Sequence, residues 1–256
     1  MKKLSGAWGT ITRAAAGAAI FAALGAVSVA QAGDRSWNGL YVGVHAGWGW
    51  QQSDNLLRDL DGYNGGAGSF KYDGAEGGMF GVQVGYNVQL QKIVLGIEAD
   101  AGLSGISGQS QFPAYVGVRT SADSVASVDF DRYATVTGRV GVLATNSVLL
   151  YGKAGWGWMH AEVGFSDTDP IGTVITKGTS RGANLDGAVW GGGIEYAVNS
   201  LLSFKVEYLH FDIGDTVTHT ATSGGSFRFA HDVRDVDTVK VGLNLKFGAD
   251  RSGPMK

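Results

Sequence analysis

"LLYGKAGWGW", residues 149–158, sets Lys153 inside an apolar run and closes on two tryptophans spaced two apart, Trp156 and Trp158. With Val148 included, Leu150, Ala154, Trp156 and Trp158 share one parity, while Tyr151, Lys153, Gly155 and Gly157 share the other. Period two marks a β-strand, whose successive side chains point to opposite faces. One face of this strand is apolar; the other is glycine and charge.

Seven further stretches repeat the pattern. In 40–50, Leu40, Val42, Val44, Ala46, Trp48 and Trp50 oppose Tyr41, Gly43, His45, Gly47 and Gly49. In 80–90, Phe80, Val82, Val84, Tyr86, Val88 and Leu90 oppose Gly81, Gln83, Gly85, Asn87 and Gln89. In 93–103, Ile93, Leu95, Ile97, Ala99, Ala101 and Leu103 oppose Val94, Gly96, Glu98, Asp100 and Gly102. Strands centred on Val136–Val142, Trp190–Tyr196, Phe204–Tyr208 and Val239–Phe247 behave alike, with Arg139, Glu195, Lys205, Glu207 and Lys240 on their non-apolar faces.

The links between strands alternate in length. Gln91-Lys92, Thr145-Asn146-Ser147 and Asn199-Ser200 have the length of tight hairpins. The stretches 51–75, 105–131, 164–186 and 214–235 are long and polar and are expected to be loops. Pro113 and Pro170 lie in them, and the third proline is in the tail, so none interrupts a ladder. The pattern predicts an all-β fold: an eight-stranded antiparallel up-and-down barrel over residues 37–247, with short turns at one end and four long loops at the other.

Period alone does not say which face is wet. A soluble barrel buries its apolar face, whereas an outer-membrane barrel turns it to lipid and keeps small or polar residues inside. Glycines and charges opposite the apolar parity suit the narrow interior of eight strands and do not coat a water-facing exterior. Such an interior accounts for 42 glycines in 256 residues, roughly twice the usual share. The strands are long enough to cross a bilayer at a tilt. The aromatics also sort into two rings: Trp48, Trp50, Phe80, Trp156, Trp158, Trp190 and Tyr208 at the long-loop end, and Tyr86, Tyr196 and Phe247 at the short-turn end. Such girdles mark the two membrane interfaces. Lys153 therefore points into the lumen, and the paired tryptophans sit at the outer rim; the expected architecture is a transmembrane barrel with short periplasmic turns and four long extracellular loops.

The N-terminus agrees with export. Lys2, Lys3 and Arg13 precede an apolar stretch rich in alanine, and Ala30-Gln31-Ala32 is a small-x-small cleavage pattern, so residues 1–32 read as a signal peptide. Its removal takes three of 20 basic residues and none of 23 acidic ones, leaving a formal charge of −6. That balance argues against nucleic acid as a partner. There is no cysteine, hence no disulfide framework. Residues 33–247 are read as the barrel domain and 248–256 as a short C-terminal tail.

Glu98, Arg139, Lys153, Glu195, Lys205, Glu207 and Lys240 fall at similar heights on the lumen face. Buried charges must be paired. Either they form a connected network that closes the lumen, with Glu98 to Arg139 and Glu195 to Lys205 across neighbouring strands, or they are separately hydrated in a narrow pore. Chemistry elsewhere has little support. His160 and Ser166, with His210, are near the outer rim without the spacing of a nucleophile and base. His210, His219 and His231 have intervals that specify no metal geometry. Asp54, Asp59 and Asp61 suit a solvated acidic loop better than a Ca²⁺ site bridging lipopolysaccharide. No catalytic residue, metal site or cofactor is assigned, and the chain is not read as an enzyme.

The motifs "SWNGLYVGVHAGWGW", "GGMFGVQVGYNVQL", "IVLGIEADAGLSG", "TVTGRVGVL", "LLYGKAGWGW", "WGGGIEYAVNSLLSFKVEYLHFDIGD" and "VKVGLNLKFG" resemble, in their order, the small outer-membrane immunogenic, opacity-like β-barrel family of alphaproteobacteria. The resemblance implies an outer-membrane location, insertion by the barrel-assembly machinery after passage with periplasmic chaperones, and contact with outer-membrane lipid and lipopolysaccharide. It implies a role in envelope integrity and, in host-associated relatives, surface recognition of a host or binding of haem through the loops; for haem these loops offer no residue. A porin-like channel for ions or solutes is the other reading. The family ends on the aromatic of its last strand; here Phe247 is followed by "GADRSGPMK".

Overall fold

The computed structural model describes residues 36–62, 68–112, 124–168, 174–222 and 226–247. The signal-peptide and tail assignments lie outside them. The chain runs through β1 (Gly39–Gln51), β2 (Asn55–Asp59), β3 (Gly68–Tyr72), β4 (Glu76–Leu90), β5 (Ile93–Phe112), β6 (Ser124–Thr145), β7 (Val148–Thr168), β8 (Val174–Ala197), β9 (Leu202–Asp212), β10 (Asp215–Thr222), β11 (Ser226–Val233) and β12 (Val236–Phe247). Eight of these close into a barrel in the order β1-β12-β9-β8-β7-β6-β5-β4. First and last strands zip antiparallel from Leu40 opposite Phe247 to Gln51 opposite Val236, so no edge remains.

The apolar parity faces outward. Ile97 is 67% and Phe80 61% exposed, and Val44, Val82, Val136, Val140, Leu243 and Leu245 are exposed beside them. Trp48, Phe80, Trp156, Trp158, Trp190 and Tyr208 are exposed at one rim and Tyr86 and Phe247 toward the other, while Trp50 and Tyr196 are half-buried. The inner parity is closely packed, and its glycines make room for lumen tyrosines. A Cβ at Gly85 would collide with the Tyr41 phenol, one at Gly102 would lie 2.7 Å from the Tyr133 oxygen, and one at Gly193 2.8 Å from that of Tyr151. An aromatic ring over a glycine of a neighbouring strand is a known device of curved sheets.

The stretches expected to be four long loops are largely strand. Residues 105–112, 124–131, 164–168 and 174–186 prolong β5 to β8, and β2, β3, β10 and β11 form a separate four-stranded sheet in the order β10-β11-β2-β3. The polarity of the two faces exchanges at the outer girdle. Along β7 the inward residues change from Lys153 and Gly157 to Met159, Ala161, Val163 and Phe165, all buried, while the outward ones change from Trp156 and Trp158 to His160 and Glu162. Above the membrane the barrel faces water, so it adopts the apolar-in, polar-out pattern of a soluble sheet. On β6 a register shift between Phe130 and Arg132 also switches parity, from Tyr133 and Thr135 inward to Ala126, Val128 and Phe130 inward. Alternation carried across that bulge assigns the wrong face.

Candidate functional site: the charged lumen

The lumen is filled in three layers. At the short-turn end Trp37, Val94, Leu143, Leu149, Tyr151 and Ala197 form a buried apolar cluster. Trp37 is pinned by its indole N–H to the Asn146 carbonyl at 3.3 Å and lies under the Lys246 ammonium, 4.3 Å from the ring centroid. At the outer end a larger apolar core includes Tyr133, Phe130, Met159, Phe165, Leu209, Phe211 and Phe229. Between the two lies the polar layer.

Strand pairing delivers its members to one level: Glu207 on β9 faces Lys240 on β12, Arg139 on β6 faces Lys153 on β7, and Glu195 on β8 faces Lys205 on β9. The Lys153 ammonium reaches Glu98 at 2.7 Å and Glu207 at 3.1 Å, and Lys205 reaches the same two carboxylates at 2.9 and 3.5 Å. Arg139 bonds Glu195 at 2.9 Å and lies 4.0 Å from Glu98, its guanidinium between the rings of Tyr41 and Tyr151. Lys240 joins Asp100 at 3.2 Å and Glu207 at 3.5 Å. Four carboxylates, Glu98, Asp100, Glu195 and Glu207, thus meet four cations, Arg139, Lys153, Lys205 and Lys240, all of them buried. The layer is electrically neutral, which is what charges taken out of water require.

Neutral groups complete it. Tyr41 donates to Glu98 at 2.6 Å and Tyr151 to Glu207 at 2.9 Å. Ser203 at 2.5 Å and Asn244 at 2.9 Å donate to Glu195, Thr135 donates to Asp100 at 3.0 Å, and the Arg139 Nε donates to Asn87 at 2.9 Å. Gln83 bridges Asn244 at 2.7 Å and His45 at 2.5 Å, and His45 continues to the Tyr133 hydroxyl. The network therefore runs across the barrel from β8 to β1 and β6.

All seven lumen residues named from the sequence meet in this layer. One pairing differs: Lys205 turns to Glu98 and Glu207, not to Glu195, which Arg139 takes. Directly opposed residues are only neighbours in the ladder, and long side chains in a narrow lumen reach the far wall. The sequence reading leaves Asp100, Tyr41, Tyr151, Asn244 and Ser203 out of the network, although all five stand on the lumen parity. Among the described residues, the carboxylates whose oxygens converge within 4.8 Å are Glu98, Asp100 and Glu207, and lysine ammoniums already sit on them.

The remaining candidates separate. Ser166 lies six positions beyond His160 on β7, roughly 20 Å along an extended strand, and His160 pairs with Asp131 at 2.9 Å. His219 and His231 come together with ring centroids 5.1 Å apart, but His210 is elsewhere, bonded to Asp237 at 2.7 Å. Asp59 is buried and accepts the Asp61 and Gly62 amides, while Asp61 is bound by Arg228 at 2.8 Å.

Residues 19–247 match the family described as "Outer membrane protein beta-barrel domain". The chain is 30% identical over 214 residues to the 31 kDa outer-membrane immunogenic proteins of Brucella melitensis biotype 1 and Brucella suis biovar 1, covering 83% of this chain and 84% of each of those. Among solved structures, the outer membrane protein OprG from Pseudomonas aeruginosa overlaps 83% of this chain and 98% of its own, with 15% identity and a TM-score of 0.49.

Proposed function

The chain belongs to the outer-membrane β-barrel family, with the outer-membrane immunogenic proteins among its relatives, and resides in a bacterial outer membrane; on that premise we propose that it is a closed structural barrel. The observation that carries this reading is the neutral layer of four carboxylates and four cations, held between two apolar clusters. An ion entering the lumen would have to break several buried charge-assisted bonds, each leaving an unpaired charge behind. The barrel anchors in the outer membrane and presents the water-facing extension of β5 to β8 and the sheet of β2, β3, β10 and β11 at the cell surface. That extension is where an extracellular ligand or a host surface would be met, and it is the part we assign to the antigenic role that the name of the Brucella proteins expresses. Insertion uses the barrel-assembly machinery and periplasmic chaperones, and the protein performs no catalysis.

Single-channel recording in a planar bilayer tests closure. The parent protein is expected to give no steady current, and Arg139→Ala, which strips Glu195 of its cation, is expected to leak. A stable ion-selective current through the parent contradicts closure and makes diffusion through the lumen the function.

A further inference from the structure

The four-stranded sheet continues four neighbouring barrel strands upward. The ladder of β12 with β9 stops at Val236 opposite Phe211 and resumes as β11 with β10 from Val233 opposite Asp215. Those of β1 with β12 and of β1 with β4 resume as β2 with β11 and β2 with β3. All four strands break at one level, at residues 52–54, 73–75, 213–214 and 234–235, whereas β5 to β8 run through it unbroken.

Two ladders do not resume. β8 pairs with β9 as far as Ala188 opposite Asp212, and β4 with β5 as far as Glu76 opposite Ser107. Above these points no ladder joins β8 to β10 or β5 to β3 among the described residues. The upper barrel is thus two sheets packed face to face, with a seam down each side. Between them Phe229 stacks on Phe165, ring centroids 4.2 Å apart, and Leu57, Tyr72, Val217 and Val233 share a core with Phe130, Met159 and Val163. Side-chain packing, in place of a backbone ladder, holds the small sheet to the wall.

The breaks have the build of a hinge. Gln51, buried, donates to Asn55 at 3.0 Å and to the Arg234 carbonyl at 2.8 Å and accepts from the Ala75 amide at 2.8 Å, so one side chain spans three of the four breaks. Asp235 accepts the Gly214 amide at 2.8 Å and ties in the fourth. At the foot of the β5 seam the Asp73 amide reaches Ser110 Oγ at 2.8 Å. Above this level the sheet is braced as one body, since Asp232 on β11 holds Arg58 on β2 at 2.8 Å and Thr216 on β10 at 2.7 Å.

What the sheet covers favours its lifting. His219 and His231, 5% and 0% exposed, sit in its packed face, and both nitrogens of His219 and Nε2 of His231 have no hydrogen-bond partner. Unpaired buried polar atoms are costly, and water reaches all three once the sheet moves away.

We propose that the sheet of β10, β11, β2 and β3 is a hinged lid, which swings as one body from the wall of β5 to β8 about the level of Gln51 and parts at both seams. Open, it turns Leu57, Val217 and Phe229 to the outside while the charged layer below stays in place. The lid changes what the cell surface presents, and it works alike whether or not the lumen conducts. Acid is its trigger. Tyr72 on β3, Asp232 on β11 and Arg181 on β8 are the titratable and charged groups around the two rings, and burial, the largest influence, keeps both rings neutral in the shut state. Opening lets them protonate, which for His231 raises the open fraction by up to about tenfold per pH unit below about pH 6.5.

Distances between nitroxide pairs, measured by double electron–electron resonance in lipid vesicles at about pH 7.5 and about pH 4.5, test the lid on either side of the imidazole range. Glu162→Cys on β7 with Thr218→Cys on β10 makes a pair from wall to lid, and Lys71→Cys on β3 with Thr218→Cys a pair within the lid; all three positions are exposed. Heat-modifiable gel mobility checks the folding of each variant. In acid the wall-to-lid pair is expected to gain a second population longer by about 10 Å, one sheet spacing, or more, while the pair within the lid keeps its distance. Adding His219→Leu and His231→Phe is expected to cut that population at least tenfold. An unchanged wall-to-lid distance in acid overturns the lid, and so does broadening of both pairs, which would mean that the sheet melts. Equal opening in the histidine variant overturns the trigger. Should that variant fail to fold, the two pairs in the otherwise unaltered chain still decide whether the lid swings.

Discussion

Glu98 is the carboxylate on which the lumen converges: Lys153, Lys205 and Tyr41 all donate to it, and Arg139 stands 4.0 Å away. Buried ion pairs add little net stability over apolar packing, but removing one partner leaves the others charged and unpaired. Glu98→Gln is therefore expected to destabilise the barrel by about 3–5 kcal/mol. The double change Glu98→Gln with Lys205→Met, which restores neutrality, is expected to cost clearly less than the single one. Equilibrium unfolding in urea from lipid vesicles measures both; equal losses would mean that charge balance is not what holds the layer. These seven charges were legible because alternation placed them on one face of strands that must enclose something narrow. The partners of each were not, since side-chain reach across a lumen is a three-dimensional property. Glu195 shows this, finding Arg139 two strands away in place of the adjacent Lys205.

Among the elements, the sheet of β2, β3, β10 and β11 departs most from what its sequence suggests. Its strands are short and polar on one side, so residues 51–75 and 214–235 read as loops. The apolar positions Leu57, Tyr72, Val217, Phe229 and Val233 only make sense once a core is available to receive them. That core also holds His219 and His231, both buried. Burial pushes His231 down to about 3 from the ordinary imidazole value, and His219 and its neighbour repel as cations; burial lowers His219 too, helped by Arg181. Asp232 acts the other way on His231, and Tyr72 meets its Nδ1 at 3.1 Å. Because the folded state holds these rings neutral, their contribution is complete above about pH 6.5 and is lost as pH falls from there toward 3. Amide exchange in β10 and β11 is therefore expected to accelerate over that interval while exchange in the membrane-spanning part of β7 stays slow, and His231→Phe is expected to flatten the acid response. Unchanged protection in β10 and β11 down to pH 4 would contradict the assignment.

For the whole molecule, one rule organises the structure: alternating faces, with their polarity set by the medium outside. Where the medium is lipid, Val82, Val84 and Tyr86 point out and Gln83 and Gly85 point in; where it is water, Met159, Ala161 and Val163 point in. The transmembrane half was legible because glycine and tryptophan mark the inside and the rims. The upper half was not, because a bulge on β6 and the exchange of polarity at Trp158 both break a pattern read with a single assignment of faces. The same rule predicts both a lipid-facing wall and a closed interior, and the absence of native cysteine makes it directly measurable. A nitroxide placed by single cysteine substitution at each non-glycine position from Phe80 to Leu90 of β4, in vesicles, reports collision with oxygen, which concentrates in lipid, and with a water-soluble nickel chelate. The expected result is a period-two oxygen signal peaking at Val82, Val84 and Tyr86, with Gln83 and Asn87 accessible to neither probe. Nickel access at Gln83 and Asn87 would show a water-filled pore, and loss of the alternation would contradict the barrel's assignment of faces.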